Sequence, residues 1–96
     1  MTAYVIALVD VQDPEHYKNY TAKTPDLVAQ YGGQFVVRGG DTEVLEGSLL
    51  GQRVVVISFP DRAAAKTFYE SEAYQAILPI RKAASTGSFF IVDGVD

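Results

Sequence analysis

The chain contains no cysteine, which excludes disulfides, thiolate nucleophiles, iron–sulfur clusters and the usual cysteine-built zinc sites. It has one histidine, His16, so a single side chain has an ordinary pKa suited to proton transfer near neutrality. No paired spacing such as H-x-x-x-H or H-x-E surrounds it, and no metal site is expected. Basic residues are few and scattered: eight lysines and arginines against twelve acids give a formal charge of −4. Without a basic cluster there are no counterions to release from a phosphate backbone, so nucleic acid is not an expected partner. Long apolar runs are missing too. The longest are strand-sized, and no basic segment followed by an apolar run and a small-residue cleavage site stands near the start, so neither a membrane span nor a signal peptide is expected. A cytoplasmic protein is the default. The glycine pairs do not form G-x-G-x-x-G or a P-loop, and no cofactor is expected.

What is present is ordinary globular material. At 96 residues and 48% hydrophobic, residues 1–96 make one domain with a single core. Tyr4 to Val11 (YVIALVDV) is β-branched and apolar on both faces: Val5, Ala7, Val9 and Val11 on one, Tyr4, Ile6 and Leu8 on the other. Asp13-Pro14-Glu15 starts a helix, with an N-cap acceptor, a proline in the first turn and an acid behind it. Tyr17, Tyr20, Thr24, Leu27, Val28 and Tyr31 then recur at helical spacing. Pro25 should break that helix, with Thr24 recapping its second half. Gly32-Gly33 ends it.

Gln34 to Arg38 reads as a second strand, bent or bulged at Gly39-Gly40, and Thr42 to Glu46 reads as its acidic continuation along an exposed edge. Gly47 to Gln52 is a loop. Arg53 to Phe59 is a third strand, as apolar as the first. Pro60-Asp61 caps a helix from Arg62 to about Tyr69, and Ser71 recaps a further helix carrying Ala73, Tyr74, Ile77, Leu78 and Arg81, in which Pro79 should kink the axis. Gly87 introduces a last strand, Ser88 to Asp93.

The order β-α-β-β-α-β is the split βαβ, ferredoxin-like arrangement: an α+β fold in which a four-stranded antiparallel sheet carries both helices on one face. The opposite face is apolar and the chain has nothing left to cover it. A second copy packed sheet to sheet about a two-fold axis would, so a homodimer is expected.

The opening strand, Asp13-Pro14, Tyr31-Gly32-Gly33, Arg38-Gly39-Gly40, Val44-Leu45-Glu46-Gly47, Phe59-Pro60, Phe68-Tyr69-x-Ser71, Tyr74, Arg81 and Asp93-Gly94 together resemble the family catalogued as domain of unknown function 1330, in the dimeric α+β barrel superfamily. The resemblance implies the fold and the dimer. It extends to relatives that include small monooxygenases of the antibiotic-biosynthesis type, muconolactone isomerases and polyketide cyclases. One departure is Pro79, which falls inside the second helix near Arg81.

Arg38 leads the candidate site residues. Facing a cavity, its guanidinium would hold a carboxylate or an enolate oxygen through two parallel hydrogen bonds; the competing account is an ion pair with Asp10, Asp41 or Glu43 that closes the hinge. His16 could move a proton but sits in a first helical turn between acids, where a solvated side chain is the plainer account. Asp41 is a possible base or partner for Arg38, or simply an acid in a turn. Tyr17, Tyr20 and Tyr74 are candidate pocket walls for a flat oxygenated ligand, Tyr20 and Tyr74 foremost, against the alternative that they fill the core.

Two functions follow. One is a cofactor-independent enzyme acting on a small aromatic or polyketide-like acid, of monooxygenase, isomerase or cyclase type, in which Arg38 steadies developing negative charge and a tyrosine, His16 or Asp41 moves a proton. The other is a non-catalytic dimeric module that binds a small molecule, stress-related or otherwise. A pure assembly protein is a third. The sequence does not decide whether the chain is an enzyme.

Overall fold

The computed structural model describes residues 1–49 and 53–95. Eight elements follow in order: β1 (Ala3–Val11), α1 (Pro14–Thr21), α2 (Thr24–Gln30), β2 (Gln34–Arg38), β3 (Arg53–Phe59), α3 (Arg62–Glu70), α4 (Glu72–Ala84) and β4 (Ser85–Asp93). All strand pairs are antiparallel, in the order β2-β3-β1-β4, which is the expected ferredoxin-like α+β arrangement.

Strand alternation decides what each face meets. Ala3, Val5, Ala7 and Val9 are buried beneath the helices, while Tyr4, Ile6 and Leu8 on the other face are half-buried. The register extends that second face across the sheet: Ile6 lies between Val56 and Phe90, Tyr4 between Ser58 and Val92, and Leu8 beside Val54. Phe90 and Val92 are 43% and 42% exposed. On the helix side the core gathers round Tyr74, Phe59, Phe68, Val5, Val9 and Val28, all nearly inaccessible. Tyr74 is its centre, with ring centroids of Phe68 at 4.8 Å, Tyr69 at 5.5 Å, Phe89 at 6.1 Å and Tyr20 at 6.1 Å.

Helix starts follow the capping chemistry. The Asp13 carboxylate accepts from the His16 N–H at 3.2 Å, that of Asp61 from Ala64 at 2.8 Å, and the Ser71 hydroxyl from Tyr74 at 3.1 Å. Asp61→Ala leaves an N-terminal donor of α3 unpaired and should cost about 1 kcal/mol in urea unfolding, with Asp61→Asn recovering most of it.

Several local expectations are corrected. The break before Pro25 is present, but α2 is capped by Lys23, with no side-chain cap bond; Thr24 is buried and its hydroxyl donates to the Thr21 carbonyl at 3.3 Å. The bulge in β2 falls between Phe35 and Val37, ahead of Arg38 rather than after it. Thr42 to Glu46 is not a strand: the pairing of β2 with β3 ends at Arg38 opposite Val55, after which the Gly39 N–H donates to the Val54 carbonyl at 2.8 Å. Of the expected loop at Gly47 to Gln52, residues 50–52 lie outside the described residues. Helix α4 runs from Glu72 to Ala84 with the exposed Pro79 inside it, where the Gln75 carbonyl lacks its helical donor. Finally, β4 begins at Ser85, directly after α4, and Gly87 is inside it with φ 150°. A Cβ there would run into the Leu8 carbonyl, so Gly87 permits close approach of β1 rather than starting a strand. Among the described residues no helix is long and apolar enough to cross a membrane.

Candidate functional site

The break between α1 and α2 leaves a cavity of about 30 Å³ over the helix-facing side of the sheet. Strand register explains which side chains reach it. Arg38 pairs with Val55, and Val55 with Ala7, so Arg38 projects to the helix side; Arg53, opposite Val9, does the same from the start of β3. Arg81 comes from α4, one turn beyond Ile77 and Leu78 on its buried face. All three arginines line the cavity, together with Tyr17, Tyr20 and Phe35.

The three cations are held by aromatic rings rather than by carboxylates. Arg38 lies over the Phe35 ring at 4.7 Å, Arg53 over Tyr17 at 5.8 Å and Arg81 over Phe89 at 4.5 Å. Arg38 is exposed at the mouth, where its Nη2 donates to the Thr21 carbonyl at 2.9 Å, one of the carbonyls left free at the end of α1. Arg81 is only 9% exposed. The Nε atoms of Arg53 and Arg81 are buried without a hydrogen-bond partner. Among the described residues the ion pairs are Lys18–Glu15 and Arg62–Asp93, so no carboxylate compensates any of the three. An unpaired buried cation costs several kcal/mol, and cation–π contact recovers only about 0.5–2 kcal/mol of that. The arrangement leaves two buried guanidinium Nε–H groups without a partner beside a small cavity lined by all three arginines, which is the chemistry of an anion site.

Among the described residues no aspartate, glutamate or histidine lines the cavity. Its protic groups besides the arginines are hydroxyls. The Tyr20 and Tyr74 hydroxyls share a hydrogen bond of 2.6 Å, with Tyr74 fully buried behind Tyr20. Burial drives the Tyr20 phenol far above its ordinary range, and the neighbouring Tyr74 adds to the rise. Burial also raises Tyr74, where the Tyr20 hydrogen bond and Arg81 pull back, and Tyr17, where Arg53 and then Arg81 pull back. These phenols are therefore neutral hydrogen-bonding groups at physiological pH.

The rise has a consequence for stability. Above the ordinary tyrosine value of 10.0 an unfolded chain loses phenolic protons that the folded chain keeps, so the unfolded state binds fewer protons and stability falls as pH climbs. The contribution is fully present below about pH 10 and disappears above it. Alkaline unfolding should thus begin near pH 10 with a jump in tyrosinate absorbance, and Tyr20→Phe should flatten the pH dependence.

The structure brings Arg38, Tyr17 and Tyr20 to one cavity and sets Tyr74 against it. It does not bring His16 or Asp41 there: both are exposed and neither lines the space. The ion pair considered for Arg38 with Asp10, Asp41 or Glu43 is not formed. Arg53 and Arg81 are the site residues the sequence reading passed over. Their signals were there: Arg53 is in phase with the core-facing Val55 and Ile57, and Arg81 falls on the same helical stripe as Ile77. Gly39 also gains a reason. With φ at 71° it adopts a backbone that disfavours side chains, and a Cβ there would press on the Arg53 guanidinium, its Cζ 2.9 Å away. Among the described residues no group of three or more His, Cys, Asp or Glu could hold a metal.

Residues 2–95 match the family described as domain of unknown function (DUF1330). The chain belongs to that family. No curated protein matches the sequence. Among solved structures, a protein of unknown function from Rhodopseudomonas palustris superposes with a TM-score of 0.80 at 18% identity, covering 99% of this chain and 83% of that one. SnoaB, a cofactor-independent oxygenase from Streptomyces nogalater, superposes with a TM-score of 0.65 at 15% identity, covering 99% and 94%. An antibiotic biosynthesis monooxygenase gives 0.55 at 17% identity over the whole of both chains. At these identities the likeness establishes the four-stranded α+β fold and nothing finer. All three cavity arginines fall within the stretch matched to the family.

Proposed function

We propose that this DUF1330 protein takes a small organic anion into the cavity under α1 and α2, and acts without a cofactor on an aromatic or polyketide-like acid. The observation that carries the reading is the group of three guanidiniums, two with buried and unpartnered Nε atoms, around a cavity that holds no carboxylate. Isomerisation, cyclisation and cofactor-free oxygenation of such acids all pass through an enolate or phenolate. Arginines fixed in a partly dry site stabilise that charge without having to reorganise. The cavity of about 30 Å³ has room for a head group, at roughly 10–15 Å³ per water-sized position. The body of the ligand would leave through the mouth beside Arg38. Among the residues named from sequence, Arg38 is the charge-holding group, Tyr17 and Tyr20 are walls, and Tyr74 fixes the Tyr20 hydroxyl. His16 and Asp41 have no part in this reading.

The outer sheet face, with Ile6, Val56, Phe90 and Val92 turned away from the helices, supports a homodimer packed sheet to sheet. A second reading, a binding module without turnover, is favoured by one observation: among the described residues no aspartate, glutamate or histidine lines the cavity to serve as a general base.

Thermal-shift measurements with small aromatic acids and their uncharged amides separate these readings from a protein without a ligand, since a ligand of the native state raises the melting temperature. Acids should shift it and amides should not; equal or absent shifts contradict an anion site. Conversion of a hit to product, lost in Arg38→Ala at unchanged fold, supports the enzyme. Saturable binding with no product supports the module.

A further inference from the structure

We propose that the natural ligand is a dianion with two separated acidic groups, one taken deep by Arg53 and Arg81 and the other at the mouth by Arg38. This inference rests on the anion-site reading above. It comes from the number and placement of the charges. A monoanion needs one bidentate fork. This cavity offers three guanidiniums on a chain whose formal charge is −4, and a monoanion would leave two of them uncompensated. Their placement divides them. Arg81 is nine-tenths buried and Arg53 is packed against Gly39 and Tyr17, each with an unpartnered buried Nε. Arg38 is exposed, hydrogen-bonded to Thr21 and stacked on Phe35.

The buried Arg81 and half-buried Arg53 make the inner seat and the exposed Arg38 the outer one. A single compact head reaching both would have to lie between Arg81 in the core and Arg38 at the rim. Two heads on a short or flat spacer satisfy both without moving either strand. Because Arg38 spends one N–H on Thr21, its remaining donors stay available to an incoming acid. Arg53 and Arg81 are kept in place by rings rather than by carboxylates, so no protein anion competes for the inner seat.

Calorimetric titration of the full-length chain with matched probes tests this: butyrate against succinate and glutarate, benzoate against the three phthalate isomers, and inorganic phosphate. At least one diacid should bind roughly ten- to hundredfold tighter than its monoacid, the effect of one added charge-assisted contact. Phosphate should not surpass that diacid. Arg38→Gln, a change at an exposed side chain, should bring the diacid down toward the monoacid level, costing the diacid at least about tenfold more affinity than it costs the monoacid. Diacids and monoacids binding equally overturn the two-headed ligand and leave the anion site standing. Phosphate binding tightest overturns it in favour of one compact multivalent head. Binding of none of the probes removes both the dianion and the anion-site reading.

Discussion

Replacing Ile6 by aspartate is expected to abolish self-association, raising the dissociation constant at least about a thousandfold. Ile6 is at the middle of the outer sheet face, flanked in register by Val56 and Phe90. In a sheet-to-sheet dimer with two-fold symmetry each substitution is counted twice. Lost burial of the side chain amounts to about 2 kcal/mol per copy, and the carboxylates left in an apolar interface add a desolvation cost. Together these exceed about 4 kcal/mol, or three powers of ten in the dissociation constant. Sedimentation velocity at micromolar concentration checks it. A wild-type monomer, or a dimer indifferent to the change, would show that the face is not the interface.

Arg81→Met is expected to raise the stability of the ligand-free protein while abolishing acid binding. The guanidinium is nine-tenths buried with an orphaned Nε, and methionine matches its unbranched shape and can still lie against Phe89. Replacing buried ionic groups by apolar residues of similar volume is often stabilising by about 1–4 kcal/mol. A gain toward the lower end is expected, because the stacked Phe89 and nearby Tyr74 recover part of the cost of burying Arg81. Urea unfolding at fixed protein concentration gives the first quantity. Titration gives the second, with affinity for any acid falling at least about a hundredfold. A variant that is both less stable and still able to bind would mean that Arg81 is satisfied by the fold and reserved for nothing. The expected pattern is that of a functional site that keeps strain a structural site would discard.

The fold was legible because its signals are local and redundant. β1 and β3 alternate cleanly, Asp13, Asp61 and Ser71 are placed as caps, and the order of elements with right-handed crossovers admits one arrangement. Boundaries failed where a long-range fact decided them. Thr42 to Glu46 has a strand-like pattern, yet the pairing of β2 with β3 ends at Arg38, with one further bond from Gly39, before this stretch is reached. Gly87 reads as a strand start in sequence because the approach of the Leu8 carbonyl leaves no mark on its neighbours in the chain. In the site, Arg38 stood out as the one cation of its short strand. Arg53 was hidden at a strand end, where a charged residue usually faces water, and Arg81 in a helix already carrying Lys82. Only the convergence of three elements on one cavity distinguishes them. His16 attracted attention for its chemistry alone, and chemistry without a cleft has no address in the fold.

If Arg53 and Arg81, each with a buried Nε left without a partner, are held for an organic anion, the ligand must reach those two atoms. Nitrogen-15 NMR of the arginine Nε–H groups tests it most directly, because it reads the two buried atoms that lack a partner. On titration with a diacid such as glutarate or isophthalate, two of the arginine Nε–H resonances should move and slow in exchange with water, and Arg53→Lys and Arg81→Met should each remove one of them. Nε–H signals of Arg53 and Arg81 that stay fixed, while the acid binds elsewhere or not at all, would contradict it.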